Sequence, residues 1–262
     1  MNIKFTKMHG CGNDFMVIDN RTNSINLSNS QIIELADYKK SVGFDQLLLI
    51  ENSKQADISI RIFNRDGSEI NACGNGSRCV AKLILKELES SNITIATKER
   101  VLTAGLKDGL IFVNMGKAKI IQENMLFGDI KGSLVDIGNP HIIVNIDGGG
   151  WTNGQNLDSI DLAKYGSIIE NDSRFPNKVN VNFVSIINRN LVKLRTWERG
   201  AGATLACGSG ASTSFYLLYI NGLIDSSSVI KQAGGNLNIS IVNEEILMAG
   251  EAQISYRGII SN

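Results

Sequence analysis

Two stretches of the chain alternate between apolar and polar residues, as β-strands with one buried face do. They are Ile58–Phe63 and Val192–Trp197. A helical stretch follows each of them, at Ser77–Leu88 and at Ala211–Ile220, and the first of these has an apolar face. The pattern predicts an α+β protein. Turns are predicted at Gly109, Gly116, Gly132 and the run Gly148–Gly150.

The segment that precedes the first predicted helix is repeated before the second. The sequence around Cys73 aligns without a gap on that around Cys207 at a shift of 134 positions. A second match, at a shift of 126, places Gly12–Asp19 on Gly138–Asn145. Matched segments in the same order in both halves indicate an internal duplication. The pairs at the first shift include Gln46 with Asn180, Arg61 with Arg195, Asn64 with Glu198 and Arg65 with Arg199.

The length of this repeat predicts the domain organisation. A period near 130 residues is far too long for a solenoid and indicates two copies of one domain. We expect an N-terminal half, residues 1–116, and a C-terminal half, residues 117–250, related by a pseudo-twofold axis. Equivalent residues of the two copies would then face each other across a central cleft, which is where we expect the active site.

Charge and composition exclude several classes of protein. Twenty-six basic and twenty-six acidic residues cancel, and there is no basic stripe to hold a phosphate backbone, which argues against a nucleic-acid partner. No apolar stretch approaches the roughly 20 residues of a membrane span, and the N-terminal residues lack the apolar core of a signal peptide. We therefore expect a cytoplasmic protein with no membrane partner.

The chain has four cysteines and only two histidines. None of the cysteines forms a CxxC pair, so the closely spaced ligands of a structural zinc site are missing and we expect no metal. Free cysteine is often a core residue, which is the interpretation we keep for Cys11 and Cys79. Cys73 and Cys207 differ, because each lies between an alanine and a Gly-x-Gly at equivalent points of the repeat. A catalytic role is therefore favoured for these two thiols over burial in the core.

Two thiols on opposite faces of one carbon can invert a stereocentre. One thiolate removes a proton and the other thiol returns a proton to the opposite face. Each cysteine directly precedes a predicted helix, where the N-terminal N–H groups favour a thiolate and also bind a carboxylate. The residues therefore indicate an amino-acid epimerase or racemase, with the substrate carboxylate held at the helix starts.

Several polar residues are expected in the same cleft. Asn64 and its copy Glu198 lie before the two cysteine loops, although a surface ion pair is the alternative for Glu198 and its neighbour Arg199. Asn139 and His141 belong to the repeated turn, although a lone histidine is often structural. An arginine pairs with a carboxylate and a glutamate with an ammonium, so a substrate with an amino acid at each end would use both.

These motifs resemble those of the diaminopimelate epimerase family over residues 4–258, nearly the whole chain. The resemblance implies interconversion of LL- and meso-2,6-diaminopimelate, in lysine and peptidoglycan-precursor synthesis, with no cofactor, neither pyridoxal phosphate nor metal. The segments that carry it are Lys7–Phe15, Asp66–Glu69 with Cys73–Gly76, Gly138–His141, and Glu198–Gly202 with Ala206–Gly210.

The resemblance also implies roles for single residues. Cys73 would donate the proton and Cys207 would remove it in the LL-to-meso direction, with His141 and Glu198 beside the reacting centre. The backbone of Gly74 and Asn75 and that of Gly208 and Ser209 would hold the α-carboxylate. The residues implied to bind the rest of the substrate are Asn13, Gln46, Asn64, Asn139, Asn180, Glu198 and Arg199.

The family's fold and assembly are expectations too. Each half would be a mixed sheet packed around a central helix, with the C-terminal strand, residues 251–262, returning to the first half. Members are often homodimers, and Tyr256 is the candidate interface residue. Two positions depart from the family pattern: Ala203 stands where a glutamate is common, and Cys11 where leucine is usual. We expect neither change to remove the chemistry.

Four alternatives can be weighed on the sequence. Another two-thiol racemase of the same fold, such as a proline racemase, would share the paired cysteines, whereas a PhzF-like isomerase would lack them. A non-catalytic amino-acid-binding protein would have no use for intact thiols. A thiol-redox protein is disfavoured because there is no CxxC pair.

Overall fold

In the computed structural model, which describes residues 2–151 and 156–261, strands outnumber helices by far. The strands are β1 (Asn2–Gly10), β2 (Asn13–Asp19), β3 (Gln46–Glu51), β4 (Ile58–Asn64), β5 (Glu69–Ile70), β6 (Asn92–Ala96), β7 (Val101–Lys107), β8 (Leu110–Gly116), β9 (Lys119–Phe127), β10 (Ile130–Asp136), β11 (Pro140–Asn145), β12 (Asn180–Asn188), β13 (Leu191–Glu198), β14 (Gly202–Thr204), β15 (Ser227–Gln232), β16 (Gly235–Val242), β17 (Glu245–Gly250) and β18 (Gln253–Ser261). The helices are α1 (Asn29–Leu35), α2 (Gly74–Leu88), α3 (Leu162–Glu170) and α4 (Gly208–Ile220), with a short 3₁₀ helix at Leu157–Ser159.

The chain divides into two compact units. One is Met1–Asn114 together with Ala249–Asn262, and the other is Met115–Met248. The α+β class is confirmed, since each unit combines a mixed sheet with helices.

In the first unit the sheet runs in the order β18, β1, β2, β3, β4, β6, β7, β8, with the short β5 also beside β4. The pairs β2–β3 and β4–β6 are parallel and the others antiparallel. Helix α2 packs on β1, β2, β3, β6 and β7. A further apolar cluster, which includes Met16, Ile32, Phe44 and Leu47, joins α1 to the sheet.

In the second unit the order is β9, β10, β11, β12, β13, β15, β16, with β14 also beside β13. Here β11–β12 and β13–β15 are the parallel pairs. Helix α4 packs on β10, β11, β12, β15 and β16. Trp151, Phe183 and Leu162 belong to an apolar cluster that joins α3 to the sheet.

The two units therefore have one topology. Strands β1 to β4, β6 and β7 correspond to β10 to β13, β15 and β16, with parallel and antiparallel pairs at the same places. Each unit also has one helix on the five equivalent strands. The matching strand pairs of the two units thus agree with the internal duplication that the sequence indicated.

The predicted secondary structure agrees with these elements apart from one turn. The two alternating stretches lie within β4 and β13, and the helices begin three residues earlier than predicted, at Gly74 and Gly208. The prediction of a turn at Gly132 is wrong, because Gly132 lies inside β10 at a register shift. A Cβ there would approach an Ile142 side-chain carbon to 2.7 Å, so close packing rather than a turn requires the glycine.

The turn between β7 and β8 is tight, and both of its central residues have positive φ. Asp108 and Gly109, with φ of 51° and 79°, connect β7 to β8 as a two-residue hairpin loop.

Within residues 2–151 and 156–261, no helix is long and apolar enough to cross a membrane.

Candidate active site

Cys73 occupies the N-cap of α2. Its backbone is extended (φ −148°), and its Sγ accepts a hydrogen bond from the Gly76 amide at 3.4 Å. The Cys73 carbonyl accepts from the amide and the hydroxyl of Ser77, both at 2.9 Å. The thiol is half-buried. Its sulfur thus lies against the first-turn N–H groups, which have no acceptor inside the helix.

A fully buried arginine lies behind this loop. The guanidinium of Arg78 donates to Asn75 Oδ1 at 2.9 Å and lies 3.5 Å from Cys11 Sγ. The Asn75 side chain is therefore held inside the unit. Only its backbone can take the predicted role of binding a carboxylate. The sequence analysis did not single out Arg78, which lies two residues beyond the Cys73–Gly76 segment.

The other two cysteines of the first unit are buried in the core. Burial raises the pKa of the Cys79 thiol to about 12. Burial also raises the pKa of Cys11, while the nearby Arg78 acts in the opposite direction. Both side chains pack inside the unit, which is the structural role expected for them.

Gln46 and Asn64 lie side by side on β3 and β4. They are register partners, and Gln46 Nε2 donates to Asn64 Oδ1 at 3.1 Å. Asn64 Nδ2 in turn donates to Ser68 Oγ at 3.2 Å. Asn13 begins β2 and is half-buried. The structure therefore brings two of the predicted polar residues into contact at one end of the strands, ahead of the cysteine loop.

Cys207 occupies the N-cap of α4, but its surroundings differ from those of Cys73. Only 5% of the residue is exposed. Its Sγ lies 3.3 Å from Glu198 Oε2 and 3.5 Å from Ser209 Oγ, and its amide donates to Gln232 Oε1 at 2.8 Å. Burial raises the pKa of this thiol well above its ordinary value, and the Glu198 carboxylate raises it further. The resting group is therefore a thiol that donates to Glu198.

His141 is completely buried on β11, next to the second cysteine loop. Its Nε2 lies 3.0 Å from Ser209 Oγ and its Nδ1 lies 3.0 Å from Asn182 Nδ2. Asn139 Nδ2 donates to the same Ser209 hydroxyl at 3.4 Å. Burial, followed by the positive charge of Arg199, lowers the pKa of His141 to about 3. The imidazole is therefore neutral at physiological pH.

The segment that carries Glu198 and Arg199 is held from two sides. The Arg199 amide donates to Asn180 Oδ1 at 3.1 Å, and Asn180 Nδ2 donates to the Pro140 carbonyl at 3.2 Å. Glu170, at the end of α3, accepts from the Gly200 amide at 2.8 Å and from the Trp197 indole at 2.7 Å. The main chain around Glu198 is therefore fixed by buried side-chain acceptors.

The predicted site residues thus fall into two clusters, one in each unit. The first unit holds Asn13, Gln46, Asn64, Cys73, Gly74 and Asn75; the second holds Asn139, His141, Asn180, Glu198, Arg199, Cys207, Gly208 and Ser209.

Four residues of the second cluster were missed by the sequence analysis. Asn182 and Thr196 share a buried hydrogen bond of 3.0 Å, and Gln232 and Glu170 bind the backbone of the site. They come from strands and a helix that are distant in sequence, and no motif marks them. Within the described parts of the chain, no group of three or more His, Cys, Asp or Glu side chains is placed to hold a metal ion.

A family model and several relatives match the chain over most of its length. The family model described as "Diaminopimelate epimerase" matches residues 5–121 and 133–255. A diaminopimelate epimerase of Pelagibacter ubique is 38% identical to this chain, with 92% of each chain covered. One of Chromobacterium violaceum is 36% identical, with 99% of each covered.

Solved structures share the fold at low identity. A PhzF-family phenazine biosynthesis protein of Bacillus anthracis superposes with a TM-score of 0.74 at 16% identity, covering the whole of both chains. A probable proline racemase of Agrobacterium radiobacter superposes with a TM-score of 0.71 at 16% identity, covering 99% of this chain and 93% of the other. These two likenesses establish the architecture alone.

Proposed function

Because the chain belongs to the diaminopimelate epimerase family, we propose that it interconverts LL- and meso-2,6-diaminopimelate with Cys73 and Cys207 as acid and base. One observation carries the assignment of the two thiols. Each copy of the repeated motif places its cysteine at the N-cap of a helix, Cys73 on α2 and Cys207 on α4. The proposal requires that both sulfurs reach the same substrate carbon, one on each face.

The contacts of Cys207 support a proton path to Glu198. A helix N-terminus stabilises a charge by about 1 kcal/mol, whereas burial of a thiolate costs several times as much. Burial therefore wins, and the thiol must give up its proton to a neighbour before it can act as a base. Glu198 Oε2, at 3.3 Å, is the acceptor that the sulfur already contacts. In the LL-to-meso direction, Cys207 would then remove the α-proton and Cys73 would donate to the opposite face.

The helix starts supply the charge stabilisation that the reaction needs. The α-proton of an amino acid is far less acidic than a thiol, so preorganised donors must stabilise the charge that develops on its removal. We assign this role to the backbone amides of Gly74 and Asn75 on α2 and of Gly208 and Ser209 on α4, which would hold the α-carboxylate. The thiols and amides together provide an acid, a base and an anion site, so we propose that no pyridoxal phosphate takes part.

The remaining polar residues would bind the second amino-acid end of the substrate. Arg199 would pair with the distal carboxylate and Glu198 would contact an ammonium group. The amides would complete the set: Asn13, Gln46 and Asn64 in the first unit, Asn139 and Asn180 in the second. In the structure, Gln46 donates a hydrogen bond to Asn64, and Asn180 accepts one from the Arg199 amide. These side chains are therefore already oriented.

We also propose a cytoplasmic homodimer that serves lysine and peptidoglycan-precursor synthesis. Strand β18 supports an interface, because most of its side chains are exposed. Tyr256 is 47% exposed and Ile259 is 58% exposed, so this strand offers apolar area to a partner. Tyr256 packs edge-on against Phe5, with ring centroids 5.9 Å apart, so it presents a rigid face to a second copy.

The test is conversion of LL-diaminopimelate to the meso form by purified, reduced protein without added pyridoxal phosphate. Separation of the two forms should show turnover by the wild type and a loss of about a thousandfold or more in Cys73→Ser and in Cys207→Ser, since each removes an acid or base. Near-wild-type turnover in either variant would contradict the two-thiol mechanism.

Parallel samples decide between the alternatives. Racemisation of L-proline without turnover of diaminopimelate would mean a different two-thiol racemase. Calorimetric binding of diaminopimelate without proton exchange or turnover would mean an amino-acid-binding protein.

A further inference from the structure

Asn182 lies completely buried on β12, between β11 and β13. Its Oδ1 accepts from Thr196 Oγ1 at 3.0 Å, and its Nδ2 faces both the Ile142 carbonyl, at 3.4 Å, and His141 Nδ1, at 3.0 Å. The packing around it is tight, since a Cβ on Gly210 would lie 2.3 Å from Asn182 Oδ1. The side chain therefore has one position.

These partners determine which end of the Asn182 amide faces His141. A backbone carbonyl can only accept a hydrogen bond, so the atom that faces Ile142 must be the NH₂ group. The same NH₂ group faces His141 Nδ1, which must then accept. In a neutral imidazole with an accepting Nδ1, the proton is on Nε2. The neutral state is itself expected, because burial and Arg199 lower the pKa of His141.

The Ser209 hydroxyl is the next group along. A hydroxyl has two acceptor positions and one hydrogen. His141 Nε2–H donates to Ser209 Oγ at 3.0 Å and Asn139 Nδ2 donates at 3.4 Å, so both acceptor positions are used. The hydroxyl hydrogen is left for the remaining contact, Cys207 Sγ at 3.5 Å.

We propose that Asn182 is a positioning residue that fixes His141 as the Nε2–H tautomer and thereby directs the Ser209 hydroxyl hydrogen at the Cys207 sulfur. The chain of donors stabilises the thiolate once its proton has passed to Glu198. His141 acts here as a neutral donor and not as a proton shuttle. The link to Cys207 rests on the proposed function, whereas the tautomer does not.

The opposite tautomer would reverse the chain. With the proton on Nδ1, the bare Nε2 would accept from the Ser209 hydroxyl, and the sulfur would lose its donor. Exchanging a carboxylate and an amide beside a catalytic histidine is known to select the wrong tautomer in serine proteases, with a large loss of rate. Asn182→Asp makes that exchange here in the reverse direction, because a carboxylate can only accept.

The experiment reads the imidazole nitrogens directly by long-range ¹H–¹⁵N correlation in the full chain. With only His9 and His141 present, a His9→Gln sample assigns the signals. In the wild type at pH 7 we expect a protonated Nε2 and an unprotonated Nδ1 for His141. In Asn182→Asp we expect a protonated Nδ1. If the wild type shows a protonated Nδ1, or folded Asn182→Asp keeps the wild-type pattern, the proposal is overturned.

Two further variants keep the test decisive. Should Asn182→Asp not fold, Asn182→Leu serves instead, because it removes all three hydrogen bonds of the side chain at similar size. The single His141 tautomer should then give way to a mixture of the two tautomers. Thr196→Val is the matched control, because it removes a buried hydrogen bond from the same amide without touching the histidine. It should retain the Nε2–H signal. A mixture in Thr196→Val with none in Asn182→Leu would contradict the assignment.

Epimerisation by the same samples tests the consequence. Loss of one donor to a thiolate should lower kcat/KM of Asn182→Leu about tenfold and move the rising limb of its pH profile to higher pH. An unchanged pH profile would overturn the link to Cys207. A wild type with the expected tautomer but no diaminopimelate turnover would instead contradict the proposed function and leave the tautomer assignment intact.

Discussion

The two cysteine loops have the same motif on the same topology, yet their sulfurs have different neighbours. Cys73 is half-buried and accepts from the Gly76 amide, whereas Cys207 is buried and lies between Glu198 and Ser209. The motif therefore determines where the helix begins and where the thiol stands. What the thiol can do is determined by residues outside the motif.

The difference originates in the strands that precede the loops. On β4, Asn64 accepts a hydrogen bond from Gln46 on the neighbouring strand. At the equivalent place on β13, Glu198 accepts a hydrogen bond from Cys207. An amide cannot take a proton from a thiol and a carboxylate can. The two halves therefore share one backbone topology, but they differ in single residues at equivalent positions. Asn64 in the first half and Glu198 in the second half are such a pair, and the difference gives the two thiols different chemistry.

Outside the two cysteines, the largest expected effect comes from replacing the Glu198 carboxylate by an amide, as at Asn64. Glu198→Gln keeps an acceptor beside Cys207 but cannot hold its proton, so kcat/KM for LL-diaminopimelate should fall roughly a hundredfold, as for loss of a general base. Steady-state kinetics with LL/meso separation measure the change.

Glu69→Gln is the control for that substitution. Glu69 lies on β5 of the first unit and forms a surface ion pair with Arg61, which is worth little. Its kinetics should stay near the wild type. Equal losses in Glu198→Gln and Glu69→Gln would mean that Cys207 does not depend on a carboxylate neighbour.

A smaller effect distinguishes the two helix starts by stability. A Cβ on Gly210 would lie 2.3 Å from the hydrogen-bonded Asn182 Oδ1, whereas one on Gly76 would lie 3.1 Å from a Leu48 methyl carbon, so a smaller shift would relieve it. Gly210→Ala should therefore lower the free energy of unfolding by about 3 kcal/mol. Gly76→Ala should stay within about 1 kcal/mol, since better helix propensity offsets the crowding.

Urea unfolding followed by circular dichroism compares these two variants. The comparison fails if Gly76→Ala is as destabilised as Gly210→Ala, because both helix starts would then be equally crowded.

The smallest effect concerns pH. The pKa of His141 is lowered from 6.5 to about 3, so below pH 6.5 the unfolded chain binds a proton that the folded chain does not. Stability is thus complete above pH 6.5 and is lost as the pH falls toward 3. Between pH 6.5 and 5 the loss should be about 2 kcal/mol.

Tryptophan fluorescence reports this loss, since Trp151 and Trp197 both belong to the second unit. His141→Gln removes the titrating group and should flatten the dependence of the urea midpoint on pH. The same slope in both proteins would show that His141 titrates normally.

Much of this account could be predicted from the sequence. The repeat, the α+β class and the family are confirmed, because a gapless match around Cys73 and Cys207 needs no knowledge of contacts. The roles of individual site residues stay predictions. Cys-Gly-x-Gly predicts a helix start from local backbone preference alone, and the structure has α2 and α4 there.

The residues that hold the site residues in place could not be predicted from the sequence. Gln232, Glu170 and Asn182 lie 25 to 41 positions from their partners at Cys207, Gly200 and His141, and only the folded chain brings them together. The prediction of a turn at Gly132 was wrong for a related reason. A glycine is needed there because the Ile142 side chain on the neighbouring strand leaves no room for a Cβ, and local turn preference cannot reveal that contact.

The most direct test of two thiols acting on opposite faces is the fate of the α-proton in D₂O. LL-diaminopimelate is incubated with the reduced protein, the reaction is stopped early, and both forms are examined by NMR and mass spectrometry. Two separate groups predict that the meso product carries solvent deuterium at the inverted carbon while recovered LL substrate keeps its proton. Equal deuterium in both forms, or a product that retains the original proton, would show a single acid–base group and contradict the account.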